Sequence, residues 1–149
     1  MSESVRNFTE MYGYNFEDLS EGMSASFSRT VTEADILMFA GVSGDTNPVH
    51  LDEEFASSTM FAGRIAHGML SAAFISTVFG TKLPGPGCIY LSQTLKFKAP
   101  VKPGDTVVAS VTVKGLNPEK RRALFTTTCT VKGKDVLTGE AEIFIPPRS

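Results

Sequence analysis

Ile65-Ala66-His67-Gly68-Met69-Leu70-Ser71-Ala72-Ala73-Phe74-Ile75-Ser76-Thr77-Val78-Phe79-Gly80-Thr81-Lys82-Leu83 is nearly all apolar or small and shows no clear polar face. A helix that is apolar on every side is buried on every side, so this segment predicts a central helix enclosed by the rest of the chain. Small polar residues interrupt it and it is short for a membrane span. Leu83-Pro84-Gly85-Pro86-Gly87 stops it abruptly.

Downstream, the period changes from helical to two. Cys88–Val101 alternates, with Ile89, Leu91, Leu95, Phe97 and Ala99 on one side and Tyr90, Ser92, Thr94, Lys96 and Lys98 on the other. Lys102-Pro103-Gly104-Asp105 reads as a turn. Thr106–Leu116, Ala123–Val131 and Val136–Ile145 follow as further strands, the last turning Leu137, Ala141, Ile143 and Ile145 inward. The turns are short, so neighbours pair antiparallel. Upstream, residues 1–15 are polar and predict an extended lead-in to a domain spanning 16–149. Met23–Val31 reads as a first strand. Thr32, with Asp35 three positions on, predicts a capped helix ending near Gly41, and Asp52 a second cap for a short helix through Ala56. One apolar helix and a strand meander make the fold class α+β, with a curved sheet wrapped around the helix.

The 149 residues suit one domain with a sizeable core. A net charge of −2, with scattered basic residues, argues against nucleic acid as a main partner. Cys88 and Cys129 match no metal spacing and read as buried free thiols. The polar start of the chain resembles no signal peptide, which makes a cytoplasmic location the expectation and a membrane association not. Phosphate-cradling and dinucleotide motifs are absent, so no cofactor is expected.

Chemistry concentrates in Gly44-Asp45-Thr46-Asn47-Pro48-Val49-His50, where an acid and an imidazole flank a rigid Asn-Pro bend between apolar segments. Such a pair can move a proton at neutral pH. Each residue also has a plainer reading: Asp45 as an Asx-turn residue, His50 as a satisfied core histidine, His67 as a helix cap, and Ser76 as a serine bonded back to its own helix.

This loop, followed six residues later by Ala56, resembles the signature of the MaoC-like (R)-specific enoyl-CoA hydratases. His67-Gly68-Met69-Leu70 and Leu95-Lys96-Phe97-Lys98-Ala99-Pro100-Val101 resemble that family too, and the likeness runs from about Phe16 to Ile145. It implies a hot-dog fold, a homodimer, and syn hydration of a trans-2-enoyl thioester to the (R)-3-hydroxyacyl thioester. It implies that Asp45 and His50 activate one water, with Asn47 bracing the loop. It places the oxyanion contact on the Gly68 amide, where the first N–H groups of a helix have no partner within it, and it matches Ser76 to a serine that helps place substrate. If Ser76 faces the site, Phe79 lies one turn deeper along the same stripe and would shorten an acyl pocket, so short acyl chains near crotonyl are expected.

Three rivals remain open at this level: a dehydratase acting on carrier-protein thioesters, a thioesterase on the same fold, and a non-catalytic acyl-thioester binding module. The Asp-x-Asn-Pro-x-His loop argues against the last two.

Overall fold

The strict alternation beyond Pro103 forms the middle of one antiparallel sheet in the computed structural model, which describes residues 6–148. β1 (Ser24–Thr30), β2 (Ile89–Gln93), β3 (Lys96–Phe97), β4 (Thr106–Asn117), β5 (Arg122–Val131) and β6 (Lys134–Phe144) run in the order β1-β4-β5-β6-β2, with β3 also paired to β6. Val107, Ala109, Val111 and Val113 of β4 are buried, as are Ala123, Phe125 and Cys129 of β5 and Leu137, Ala141 and Ile143 of β6. Each removes an apolar side chain from water on the same face of the sheet, worth about 1.5–3 kcal/mol for the larger ones.

Against that face lies the apolar helix, α4 (Gly68–Thr81), in contact with β1, β4, β5 and β6. Leu70, Phe74, Ile75, Val78 and Phe79 are its buried side. The chain is therefore α+β, with a sheet wrapped around one helix. Two details differ from the expectation. Ile65-Ala66-His67 is not helical, since the Ala66 N–H donates to the Val101 carbonyl at 2.7 Å and His67 is extended (φ −61°, ψ 133°). And α4 is not covered all round: Met69, Ala73, Ser76 and Gly80 form an exposed stripe along it. Apolar side chains look alike in sequence whether they meet the chain's own core or an open face.

The reading of Cys88–Val101 as one strand with a buried side also fails. A register shift between Tyr90 and Ser92 breaks the pairing with β6, and Ile89, Leu91 and Phe97 are exposed. β2 is an edge strand, and its residues 89–92 are exposed on both faces.

Upstream of α4, Thr32 caps α1 (Glu33–Ser43) in a full capping box with Asp35. The helix runs two residues beyond Gly41 because Gly44, at φ +79°, supplies the left-handed C-terminal turn. α2 (Pro48–Leu51) begins with proline at its first position, and α3 (Glu53–Ser57) is capped by Asp52. Of the expected lead-in, residues 1–5 lie outside the described residues. Within the rest, the Gly13 and Tyr14 amides donate to the Pro86 and Pro84 carbonyls, and Arg148 binds the carbonyls of Gly13 and Tyr14. No helix among the described residues is long and apolar enough to cross a membrane.

Candidate active site

Gly44 turns the chain out of α1 directly into Asp45. Ser43 Oγ accepts the Asp45 N–H at 3.1 Å, and Asp45 Oδ1 accepts the Asn47 N–H at 3.3 Å, an Asx turn. Asn47 Oδ1 in turn accepts the Val49 N–H at 3.0 Å and caps α2. These short-range bonds leave the second carboxylate oxygen, Oδ2, facing His50 Nε2 at 4.0 Å. That gap is too long for a direct hydrogen bond and suits one water held by both groups.

The tautomer of His50 follows from its other nitrogen. Nδ1 lies 2.7 Å from the Ile65 carbonyl oxygen, which can only accept, so Nδ1 carries the proton. Nε2 then presents a lone pair towards Asp45. His50 is buried, whereas the Asp45 side chain is about half exposed (53%).

Behind the pair, Arg64 grips Glu33 at the start of α1 with two bonds of 2.7 Å and Glu53 of α3 with one of 2.9 Å. It holds both carboxyls below the usual carboxylate range. The Ile65 N–H donates to the Val49 carbonyl at 3.2 Å. Segment 64–67 is thus fastened to α1, α2 and α3 before α4 begins.

His67 stands at the N-cap of α4, but its side chain caps nothing. It turns the other way, with Nε2 2.9 Å from the Asp45 main-chain oxygen and its ring stacked on His50 at 3.7 Å between centroids. The expectation of a capping role is therefore replaced by contact with the acid–imidazole pair. Gly68 follows as the first residue of α4. A Cβ there would come to 2.5 Å from the Phe97 ring, so glycine lets that ring lie directly against the first residue of the helix.

Two concavities flank this turn and share Met69. One, a cavity of about 490 Å³, is lined by His67, Gly68, Phe61, Phe97, Val101 and Lys98 among others. The second, about 520 Å³, is an open groove that includes Phe39, Ala72, Ser76, Tyr90 and Gln93. Ser76 thus lies on the groove side of the exposed α4 stripe. Phe79 does not share that face: it is buried edge-on against Phe125 (4.9 Å) and Tyr90 (5.2 Å). The broad stripe expected from helical spacing divides, and Phe79 meets the groove through the Tyr90 ring. Burial pushes the Tyr90 hydroxyl up to about 12.

Asp45, His50 and His67 each place a ligand-type atom within 4.8 Å of the others. That spread is wide for zinc, whose ligand atoms sit about 2 Å from the metal. Each histidine also spends one nitrogen on a carbonyl, and the donors are set for protons. His67's place in the cluster was not legible beforehand; the only signal was a second histidine in an apolar setting.

Comparison with known proteins fits this geometry. Residues 16–136 match the family model of the MaoC-like domain. The chain is 62% identical over 133 residues to an (R)-specific enoyl-CoA hydratase of Rhodospirillum rubrum, covering 89% of this chain and 92% of that one. It is 48% identical to a 3-hydroxybutyryl-CoA dehydratase of Methylorubrum extorquens, covering 89% and 85%. The structure of an (R)-hydratase from A. caviae involved in PHA biosynthesis superposes with a TM-score of 0.84 at 43% identity, covering 87% and 99%.

Proposed function

Since the chain belongs to the MaoC-like family, with its hot-dog fold, we infer that it is a hydro-lyase for the reversible syn hydration of trans-2-enoyl-CoA to (R)-3-hydroxyacyl-CoA. The observation that carries this is the 4.0 Å approach of Asp45 Oδ2 to the bare Nε2 of His50.

A water held between them loses one proton to the pair while its oxygen bonds to the β-carbon of the enoyl group. Asp45 serves as the base with His50 sharing the role, and one of the two returns that proton to the α-carbon. Departure and return from the same side make the addition syn. The thioester oxygen, negative in the enolate, rests on the Gly68 amide, where the unpartnered N–H groups and the dipole of α4 favour it. Atoms balance as one water added across the double bond, and the reverse path eliminates it.

In this reading the acyl group lies in the groove beside Ser76, with Phe79 backing it through Tyr90, and short chains near crotonyl are preferred. The pantetheine arm leaves through the apolar cavity beside Gly68, past Lys98, whose ammonium suits a CoA phosphate. The proposed enzyme is a homodimer, in which a partner copy seated on the exposed α4 stripe and on the β2 edge, unpaired on one side among the described residues, would roof the groove over the acyl group. A cytoplasmic location agrees with the free thiols of Cys88 and Cys129.

The deciding assay is loss of enoyl absorbance from crotonyl-CoA without release of free thiol, which separates hydration from thioester cleavage. Asp45→Asn and His50→Gln should each lower the rate roughly 10²–10⁴-fold with circular dichroism unchanged. Near-normal turnover by either variant would overturn the assignment.

A further inference from the structure

We propose that His67 is the positioning residue of this site, fixing the Asp45–His50 separation from behind. The inference rests on the assignment of those two residues as the proton-moving pair.

One imidazole touches both members of the pair. Its Nε2 lies 2.9 Å from the Asp45 carbonyl oxygen, so Nε2–H donates there and anchors the main chain that carries the acid. Its face meets the His50 ring at 3.7 Å and 26°, and it is flanked by Phe39 of α1 at 4.9 Å. His50 is thereby held between the His67 face and its own bond to the Ile65 carbonyl. The same residue directly precedes Gly68, so acid, imidazole and oxyanion amide are referred to one rigid, 2%-exposed ring.

Core packing alone does not account for it. With Nε2 protonated, Nδ1 is a bare acceptor, and it is buried with no hydrogen-bond partner among the described residues. Burying a polar atom unsatisfied is unfavourable, and a phenylalanine would fill the same space without that cost. What phenylalanine cannot supply is the N–H to Asp45. Nor does capping account for it, because the side chain makes no cap hydrogen bond to α4 and bonds the Asp45 carbonyl instead.

His67 touches no bond that changes in the reaction, so its effect must pass through Asp45 and His50. His67→Phe keeps a ring against His50 and removes the Asp45 bond. It should lower kcat for crotonyl-CoA about 10- to 100-fold, the scale of a misplaced catalytic group, with KM within about twofold. In the Asp45→Asn background, which retains the main-chain carbonyl, the same change should add less than about threefold, because the group it positions is already disabled. A merely structural residue would slow both backgrounds equally. His67→Gln, which can still donate an N–H, should recover part of the loss and serves if the phenylalanine variant does not fold. Unchanged kcat in a folded variant, or full additivity with Asp45→Asn, overturns the proposal. Activity retained by Asp45→Asn alone would overturn the underlying assignment instead, and so separates the two failures.

Discussion

Phe79 offers the sharpest test of how this site measures its substrate. Its ring is 1% exposed and meets Phe125 and Tyr90 edge-on at 4.9 and 5.2 Å. Truncation to alanine would cost roughly 3–5 kcal/mol, a large part of the 5–15 kcal/mol that holds a domain folded, and would confuse specificity with unfolding. Leucine is the better probe. About three fewer buried carbons at about 0.8 kcal/mol each lower stability by roughly 2 kcal/mol, and the two lost edge-on ring contacts bring this to roughly 3 kcal/mol. At roughly 2–4 °C per kcal/mol, the melting temperature should fall about 6–12 °C, leaving a folded enzyme at assay temperature. Tyr90 can then settle into the released space and deepen the groove beside Ser76. A pocket gains about 1–3 kcal/mol for each further methylene it accepts, and trans-2-hexenoyl-CoA carries two more than crotonyl-CoA, so its kcat/KM relative to crotonyl-CoA should rise at least about tenfold. Both are read from the loss of enoyl absorbance, with thermal melts run in parallel. A melting temperature that drops as expected beside an unaltered chain-length ratio would show that Phe79 is core alone and that the acyl group does not reach Tyr90.

Gly68→Ala sets a methyl group against the half-exposed Phe97 ring, which can swing away, so the melting temperature should change little. The intruding Cβ misplaces the thioester carbonyl, and kcat/KM for crotonyl-CoA should fall about 10²-fold; an active variant would remove Gly68 from the oxyanion contact. Asp35→Asn weakens both the capping box of α1 and the pair with Arg29, which holds the Asp35 carboxyl below the usual carboxylate range. A depressed carboxyl stabilises the fold above its unfolded pKa and loses that contribution as pH falls through the folded one. Urea unfolding should therefore show the variant about 1 kcal/mol less stable at pH 7, with the difference shrinking below about pH 4; a pH-independent difference would exclude the ion pair as its source. If the proposed homodimer forms through the exposed α4 stripe, Ala73→Arg plants a charge in its interface, and sedimentation velocity should show monomer where the unaltered chain is dimeric; a variant that stays dimeric would place the interface elsewhere.

Legibility in the sequence tracked how local each feature is. β4 to β6 could be read directly, because each carries one buried row at period two and needs only its neighbour for pairing. The Cys88–Val101 pattern was equally regular, yet its register against β6 shifts between Tyr90 and Ser92, and Thr94 holds the new register by exchanging bonds with Glu140 (Thr94 N–H to the Glu140 carbonyl at 2.8 Å, Glu140 N–H to Thr94 Oγ1 at 2.9 Å). Nothing in its alternation records an edge. The exposed stripe of α4 escaped for a related reason, since small and apolar residues on an open face have the same composition as those in a core.

The site divides along the same line. Asp45, Asn47 and His50 are joined by bonds spanning two residues and by one turn, so their residue types betray the arrangement. His67 reaches Asp45 across 22 residues, and His50 reaches Ile65 across 15, and both contacts end on main-chain oxygens. A carbonyl is present at every position and carries no mark of identity, so no motif can encode such a partner. The same fact explains how the proposed pair can be dissected: Asp45→Asn exchanges the proposed base while leaving intact the Asp45 carbonyl that His67 holds. On the proposed assignment, loss of rate in Asp45→Asn would therefore measure proton chemistry, whereas loss in His67→Phe would measure the distance over which it is done.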